Sequence, residues 1–380
     1  MLLLTRVSYT ELANSRKTRP PRETQMPDRR PTQNDVARLA GVSRGTVSLV
    51  LNERGDSRVP ISAETRERVL QVAQQLGYSP NPAAQMLASG SSAIIGVFTY
   101  EPGFPLENED HHYPYLLGIE REASRREYDV LLFTRGRNTP QYSIYKGGAN
   151  SLRLAAGSVL LGLNPARDEL HTLVEERYPF VYIGRREVPG CEIDWVVSDY
   201  ISGSVTATSH LLALGHRQLA FVDHRPETEA SQDKLAGCQQ VVAGSPGAQL
   251  LVLEHDLVER GETLAAARRH GVTAFLARDM FVMRDLLESL TAAGLSVPGN
   301  VSVLALGGGS PSLLPGVRPS RVRIDREQVG ELAVQILLNR IQDHTIPAQH
   351  ILVECEFIAG ETTAPLMTTQ AARPEGGEPG

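Results

Sequence analysis

One stretch, from Thr32 to Asn52, constrains the fold more tightly than any other part of the chain. Apolar residues recur at Val36, Ala37 and Ala40, then at Val47, Val50 and Leu51, which is the spacing of two short amphipathic helices. Thr32 stands where it caps the first helix, with Asp35 three positions on, as in a capping box. Gly41 falls where a sharp turn needs a left-handed backbone, which glycine adopts without a Cβ penalty. Val42 tucks inward, and Ser43 caps the second helix. The pattern predicts a helix-turn-helix whose outer face carries Arg44, Gly45, Ser48 and Leu49. A third helix is expected over Ser62–Leu76, ending at Gly77. So small a core makes a marginally stable unit.

A helix-turn-helix sets the N-terminal end of its second helix in the major groove. Arg44 is then placed to read a guanine edge with a bidentate bond. Thr46 and Ser48 suit phosphate contacts, which position without reading sequence. The alternative for such a hairpin is a surface for protein contacts.

Charge is distributed accordingly. The chain of 380 residues has a net charge of −6. Residues 1–30 carry +4 and residues 31–92 carry +1, which leaves −11 on the remainder. A basic front on an acidic body suits a DNA-contacting head on a sensing domain.

From Ile94 onward, apolar runs alternate with amphipathic helical stretches. Strands are expected at Ile94–Phe98, Val130–Phe133, Ser158–Leu161, Phe180–Ile183, Leu219–Val222, Leu251–Leu253, Ala274–Leu276 and Val301–Leu306. Helices are expected at Leu116–Arg126, Gly203–Leu214, Met283–Ala293 and Val329–Ile341. This reads as βαβ units on parallel sheets, with too many strands for one small sheet and hence two lobes. The expected organisation is a disordered basic extension (1–30, with Met26 as an alternative start), a helix-turn-helix domain (31–80), a hinge helix and linker (81–92), a two-lobed body (93–360) and a disordered tail (361–380).

Several classes are disfavoured. No apolar run reaches the length of a membrane span, and Met1–Arg6 is too short an apolar start for a signal peptide. The three cysteines, Cys191, Cys238 and Cys355, lack metal spacing and suit a reducing cytoplasm. No nucleophile elbow, zinc-protease motif or phosphate loop is present, so no catalytic residues, metal or cofactor are expected. His210 and His216 invite a metal reading, but they sit at a helix end, where protonated histidine suits the dipole.

Residues 32–97 resemble the LacI/GalR family of bacterial repressors. The likeness runs through Asp35-Val36-Ala37, Ala40-Gly41-Val42-Ser43, Thr46-Val47-Ser48, Val50-Leu51-Asn52, Leu76-Gly77-Tyr78, Pro80-Asn81 and Leu87, and extends over the body to about residue 360. It implies an all-α head, a hinge helix and a two-lobed α/β body of periplasmic-binding-protein type (type I) with parallel sheets. It implies a homodimer on a palindromic operator in double-stranded DNA, controlled by a small-molecule effector, with carbohydrate metabolism as the usual subject. Contacts to DNA would come from Thr32, Ser43, Arg44, Gly45, Thr46, Ser48, Leu49, Asn52, Tyr78, Asn81 and Leu87, with Leu87 wedged into the minor groove. Effector contacts would come from Tyr113 on a first-lobe loop, Arg185, His224, Lys234, Arg278 and Asp279.

The chain departs from the family in places. Leu49 replaces a usual base-reading arginine, and Gly45 removes another reading side chain. Lys234 stands for a sugar-binding arginine, and Arg278-Asp279 for an Asn-Asp pair. Gly307-Gly308-Gly309 occupies the place of an Asp-Asp pair that grips sugar hydroxyls. Losing that acceptor while gaining Arg278 makes the cleft more cationic, so an anionic or phosphorylated effector is favoured over a neutral sugar. The other outcomes are a cytoplasmic ligand-binding protein, or a regulator no longer controlled by a small sugar.

Overall fold

The computed structural model describes residues 31–51, 61–79, 92–100, 109–134, 143–162, 166–223, 228–255 and 262–366. The expected extension (1–30) and hinge helix therefore lie outside the described residues, as do Asn52, Asn81, Leu87 and His224. The chain forms two compact units, Met1–Gly90 and Ser91–Gly380.

The first unit contains α1 (Gln33–Ala40), α2 (Arg44–Leu51) and α3 (Ala63–Gln75). Their apolar faces meet in a core of Val36, Ala37, Ala40, Val47, Val50, Val69 and Ala73. The caps follow the sequence pattern. Thr32 N–H donates to the Asp35 carboxylate at 3.0 Å, and Gly41 takes φ 66° at the end of α1. Thr65 N–H donates to Ser62 Oγ at 3.2 Å. Arg68 of α3 donates from Nε to the Ala40 carbonyl at 3.1 Å, which satisfies one of the acceptors left open at the end of α1.

The second unit begins with β1 (Ile94–Thr99), α4 (Glu109–Arg125), β2 (Asp129–Phe133), a small ribbon of β3 (Tyr145–Lys146) and β4 (Ala149–Asn150), β5 (Gly157–Leu161), α5 (Arg167–Glu175), β6 (Phe180–Ile183) and β7 (Asp194–Ser198). The chain then crosses to a second lobe of α6 (Tyr200–Ala213), β8 (Gln218–Asp223), α7 (Glu229–Ala243), β9 (Gln249–Glu254), α8 (Glu262–Arg269), β10 (Ala274–Ala277), α9 (Met280–Ala292), β11 (Ser302–Ala305) and β12 (Ser320–Arg323). It returns with α10 (Arg326–Gln342) and β13 (His350–Val353), and crosses a third time into β14 (Glu356–Ile358). The first sheet has the order β13-β7-β6-β5-β1-β2 and is parallel throughout. The second, β14-β12-β11-β10-β8-β9, is parallel except for antiparallel β14.

Alternation along each strand sends side chains to two cores. In β1, β5 and β6, residues such as Ile95, Val159 and Val181 face α4 and α10, while Phe98, Leu160 and Tyr182 face α5. Both faces are covered, as a parallel sheet requires. Helices α4 and α10 approach closely at Gly118 and Gly330, where an added Cβ would strike the backbone of Glu327 and Tyr115 respectively.

The structure corrects three expectations. Short strands β7, β12, β13 and β14 escape the apolar-run pattern, because each opens on a polar or charged residue and keeps three or fewer consecutive apolar positions. The tail reading fails for residues 361–366: Thr362 is buried, and its carbonyl accepts from Val303 N–H at 2.8 Å. His216 does not serve as a charged partner of the helix dipole. It is buried between Thr273 Oγ1 at 2.9 Å and Ser302 Oγ at 3.0 Å, and burial pushes its pKa down, as it does for His210.

Candidate functional site

Each unit carries a site, built from different chemistry. In the head, Thr46 N–H donates to Ser43 Oγ at 3.1 Å, so Ser43 caps α2 and its first turn is formed with Arg44 and Gly45 exposed. Arg44 Nε lies 3.4 Å from Gln33 Oε1, and Tyr78 hydrogen-bonds Gln33 close to Arg44. The fold thus brings Arg44 and Tyr78 together, although they stand 34 positions apart in sequence. Thr32 is exposed at the start of α1, whereas Thr46, Ser48 and Leu49 are half-buried along α2. Gln33 was not singled out from sequence. Its link to Arg44 spans helices and leaves no local pattern.

In the body, a cavity of about 410 Å³ opens between the lobes at the carboxyl ends of the strands. Ion pairs cross it. Arg185, following β6, meets Asp233 of α7 at 2.8 Å, and Arg186 meets Glu229 at 3.1 Å. Asp279 caps α9, accepting from Phe281 and Val282 N–H groups at 3.0 and 2.9 Å. Arg278 pairs with Asp279 at 2.7 Å and lies 3.3 Å from buried Asp223. Burial works against ionised Asp279, but Arg278, Lys234 and the Val282 N–H outweigh it and hold its pKa below the usual range. Burial pushes Asp223 up, with Arg278 opposing. Lys234 is buried, donates to the Arg278 carbonyl at 3.0 Å and lies 4.9 Å from the Tyr200 ring centre; burial pulls its pKa down to about 8.

Four sequence candidates, Arg185, Lys234, Arg278 and Asp279, therefore line one cavity. Tyr113 does not: it lies within α4 rather than on a loop, 62% exposed, while His112 and Tyr115 face the cavity. Helical periodicity explains the miss, since residues 112 and 115 share a face that 113 leaves. Arg278 is matched by carboxylates, so it is not the source of excess positive charge that the sequence suggested. Arg326, at the first turn of α10, is a cavity cation that sequence reasoning missed. Asp325 capping the helix was its only signal, obscured because the charged strand β12 before it was not recognised.

Two family models match separate stretches. The helix-turn-helix segment, residues 32–81, matches the bacterial regulatory proteins of the lacI family, and residues 208–363 match a periplasmic binding protein-like domain. The chain thus combines a helix-turn-helix segment of lacI type with a periplasmic-binding-protein-like domain. Relatives align over most of both chains. The transcriptional regulator CelR of Thermobifida fusca is 29% identical over 343 residues, spanning 88% of this chain and 98% of its own. The repressor PurR of Vibrio campbellii is 25% identical, spanning 88% and 99%. Among solved structures, a CelR–cellobiose complex superposes on this chain with a TM-score of 0.60 at 27% identity, covering 88% of this chain and 100% of that one. A lac repressor dimer bound to operator gives 0.72 at 21% identity with the same coverage, a likeness of fold.

Proposed function

We propose that this chain is a LacI-family repressor that binds a near-palindromic operator as a homodimer and answers to a small molecule in the interlobe cleft. The observation that carries it is the placement of Arg44, exposed on the capped first turn of α2 beside Tyr78. A guanidinium at that end of a recognition helix reaches a guanine edge in the major groove. Thr32, Ser43, Thr46 and Ser48 supply hydroxyls for phosphate contacts, and Leu49 offers apolar contact to a thymine methyl. Asn52, Asn81 and Leu87 would add contacts at the end of α2 and in a hinge over residues 81–92.

In the body, Arg185, Lys234, Arg278 and Asp279 form the effector site, with His224 following β8. A cavity of about 410 Å³ fits a sugar or an anionic sugar derivative. The similar CelR structure is a complex with cellobiose. Effector closes the lobes and changes the dimer contact that sets the two heads. No described helix is long and apolar enough to cross a membrane, and we place the protein in the cytoplasm with its DNA.

Binding-site selection from a random duplex pool tests the reading. A palindrome should be enriched, and its complex should weaken steeply with salt while remaining selective over random duplex. Equal binding to all duplexes, or none, would sink it.

A further inference from the structure

Five cations line the cleft, and three of them are matched. Arg185 pairs with Asp233, Arg186 with Glu229, and Arg278 with Asp279 and Asp223. Lys234 and Arg326 have no carboxylate within 4.0 Å among the described residues. Both are buried, at 7% and 9% exposure, and Arg326 Nε has no hydrogen-bond partner. An isolated buried cation is costly unless something of opposite charge reaches it. The carboxylates that act on Lys234, Asp279 and Asp223, are already engaged by Arg278.

The two unmatched cations border one short turn. A Cβ on Gly307 would lie 3.9 Å from Lys234 Nζ, and a Cβ on Gly308 would lie 3.5 Å from Arg326 Nη2. Gly307, Gly308 and Gly309 all have positive φ, at 125°, 64° and 75°. A side chain on Gly308 would also crowd Asp279 Cβ at 2.9 Å. The turn therefore puts no acidic side chain of its own beside Lys234 and Arg326. Tyr115 and Tyr200 flank the cations, with ring centres 5.8 Å from the Arg326 guanidinium and 4.9 Å from Lys234 Nζ. Ser198 and Ser231 line the same cavity and can bond hydroxyls.

We propose that the cleft binds a small hydroxylated organic anion, whose carboxylate or phosphate sits between Lys234 and Arg326 beside the Gly307–Gly308 turn. The proposal rests on the cleft being the effector site. The anion supplies the missing negative charge, and the aromatic rings and serines take the hydroxylated body. A neutral sugar would leave both cations buried and unmatched, so it binds weakly.

Calorimetry and thermal melting of the full chain test this with glucose, gluconate, glucose 6-phosphate and inorganic phosphate at constant ionic strength. At least one of gluconate, glucose 6-phosphate and inorganic phosphate should bind and raise the melting temperature, more than tenfold more tightly than glucose. Preference for gluconate marks a carboxylate ligand, and preference for glucose 6-phosphate or inorganic phosphate marks a phosphate. Lys234→Gln and Arg326→Gln should each lose at least tenfold in anion affinity while keeping their melting temperature without ligand, and Arg326→Lys should restore part of it. Glucose binding as tightly as the anions, no response to any anion, or an undiminished response in both glutamine variants would overturn the proposal. A mobility shift on the selected operator separates the two failures. Intact DNA binding without an anion response removes only this inference, whereas lost DNA binding removes the regulator reading.

Discussion

Arg185, just after a first-lobe strand, donates to Asp233 on a second-lobe helix across the cleft at 2.8 Å. Arg186 and Arg167 both reach Glu229 from the same side, each at 3.1 Å. The lobes are thus latched by protein ion pairs. Asp233→Asn removes a partly exposed pair and should cost this lobe arrangement about 1 kcal/mol. Glu229→Gln should cost more, because it withdraws a carboxylate from beside the buried Arg186 guanidinium. Small-angle scattering should show a larger radius of gyration for the double variant, and an unchanged radius would reject the latch.

Gly330 permits the close approach of α10 to α4. Its substitution Gly330→Ala places a methyl against the Tyr115 carbonyl, a backbone atom that cannot yield as a side chain would. A loss of about 2–3 kcal/mol in urea denaturation is expected. Stability within a few tenths of wild type would show that the helices separate easily.

How much of this was legible in the sequence depends on how local each signal is. The head was readable because caps and a glycine turn act within four residues, as Thr32 with Asp35 and Ser43 with Thr46 show. The central buried strands were readable as apolar runs. Strands such as β12, Ser-Arg-Val-Arg, were not, since one face carries charged arginines. The cleft was half legible: Lys234 and Arg278 stand at family positions, but the neutralisation of Arg278 by Asp223 joins residues 55 positions apart. Arg326 enters the cleft only because the chain crosses between lobes just before it.

Ser62→Ala removes the acceptor for Thr65 N–H and should weaken α3 by about 1 kcal/mol. Hydrogen exchange of α3 amides should speed about fivefold where local opening limits exchange. Exchange rates equal to wild type would mean that the cap contributes nothing.

His216 makes stability pH-dependent. Burial lowers its folded pKa, so the unfolded chain binds the proton first as pH falls. The contribution is complete above the ordinary histidine value of about 6.5 and is lost as pH falls below it toward the folded value. Between pH 7.5 and 5.5, wild type should lose more melting temperature than His216→Asn. Parallel slopes would contradict the buried neutral ring that joins Thr273, Ser302 and the Ala364 carbonyl.

The most direct measurement compares wild type with Arg44→Ala on the selected operator, on the same duplex with each base pair changed in turn, and on random DNA. Loss of about 1–3 kcal/mol on the operator is predicted, with discrimination relaxed at one base pair per half-site and affinity for random DNA changed far less. Unaltered operator affinity, or an equal loss on every duplex, would contradict the placement of α2 in the groove.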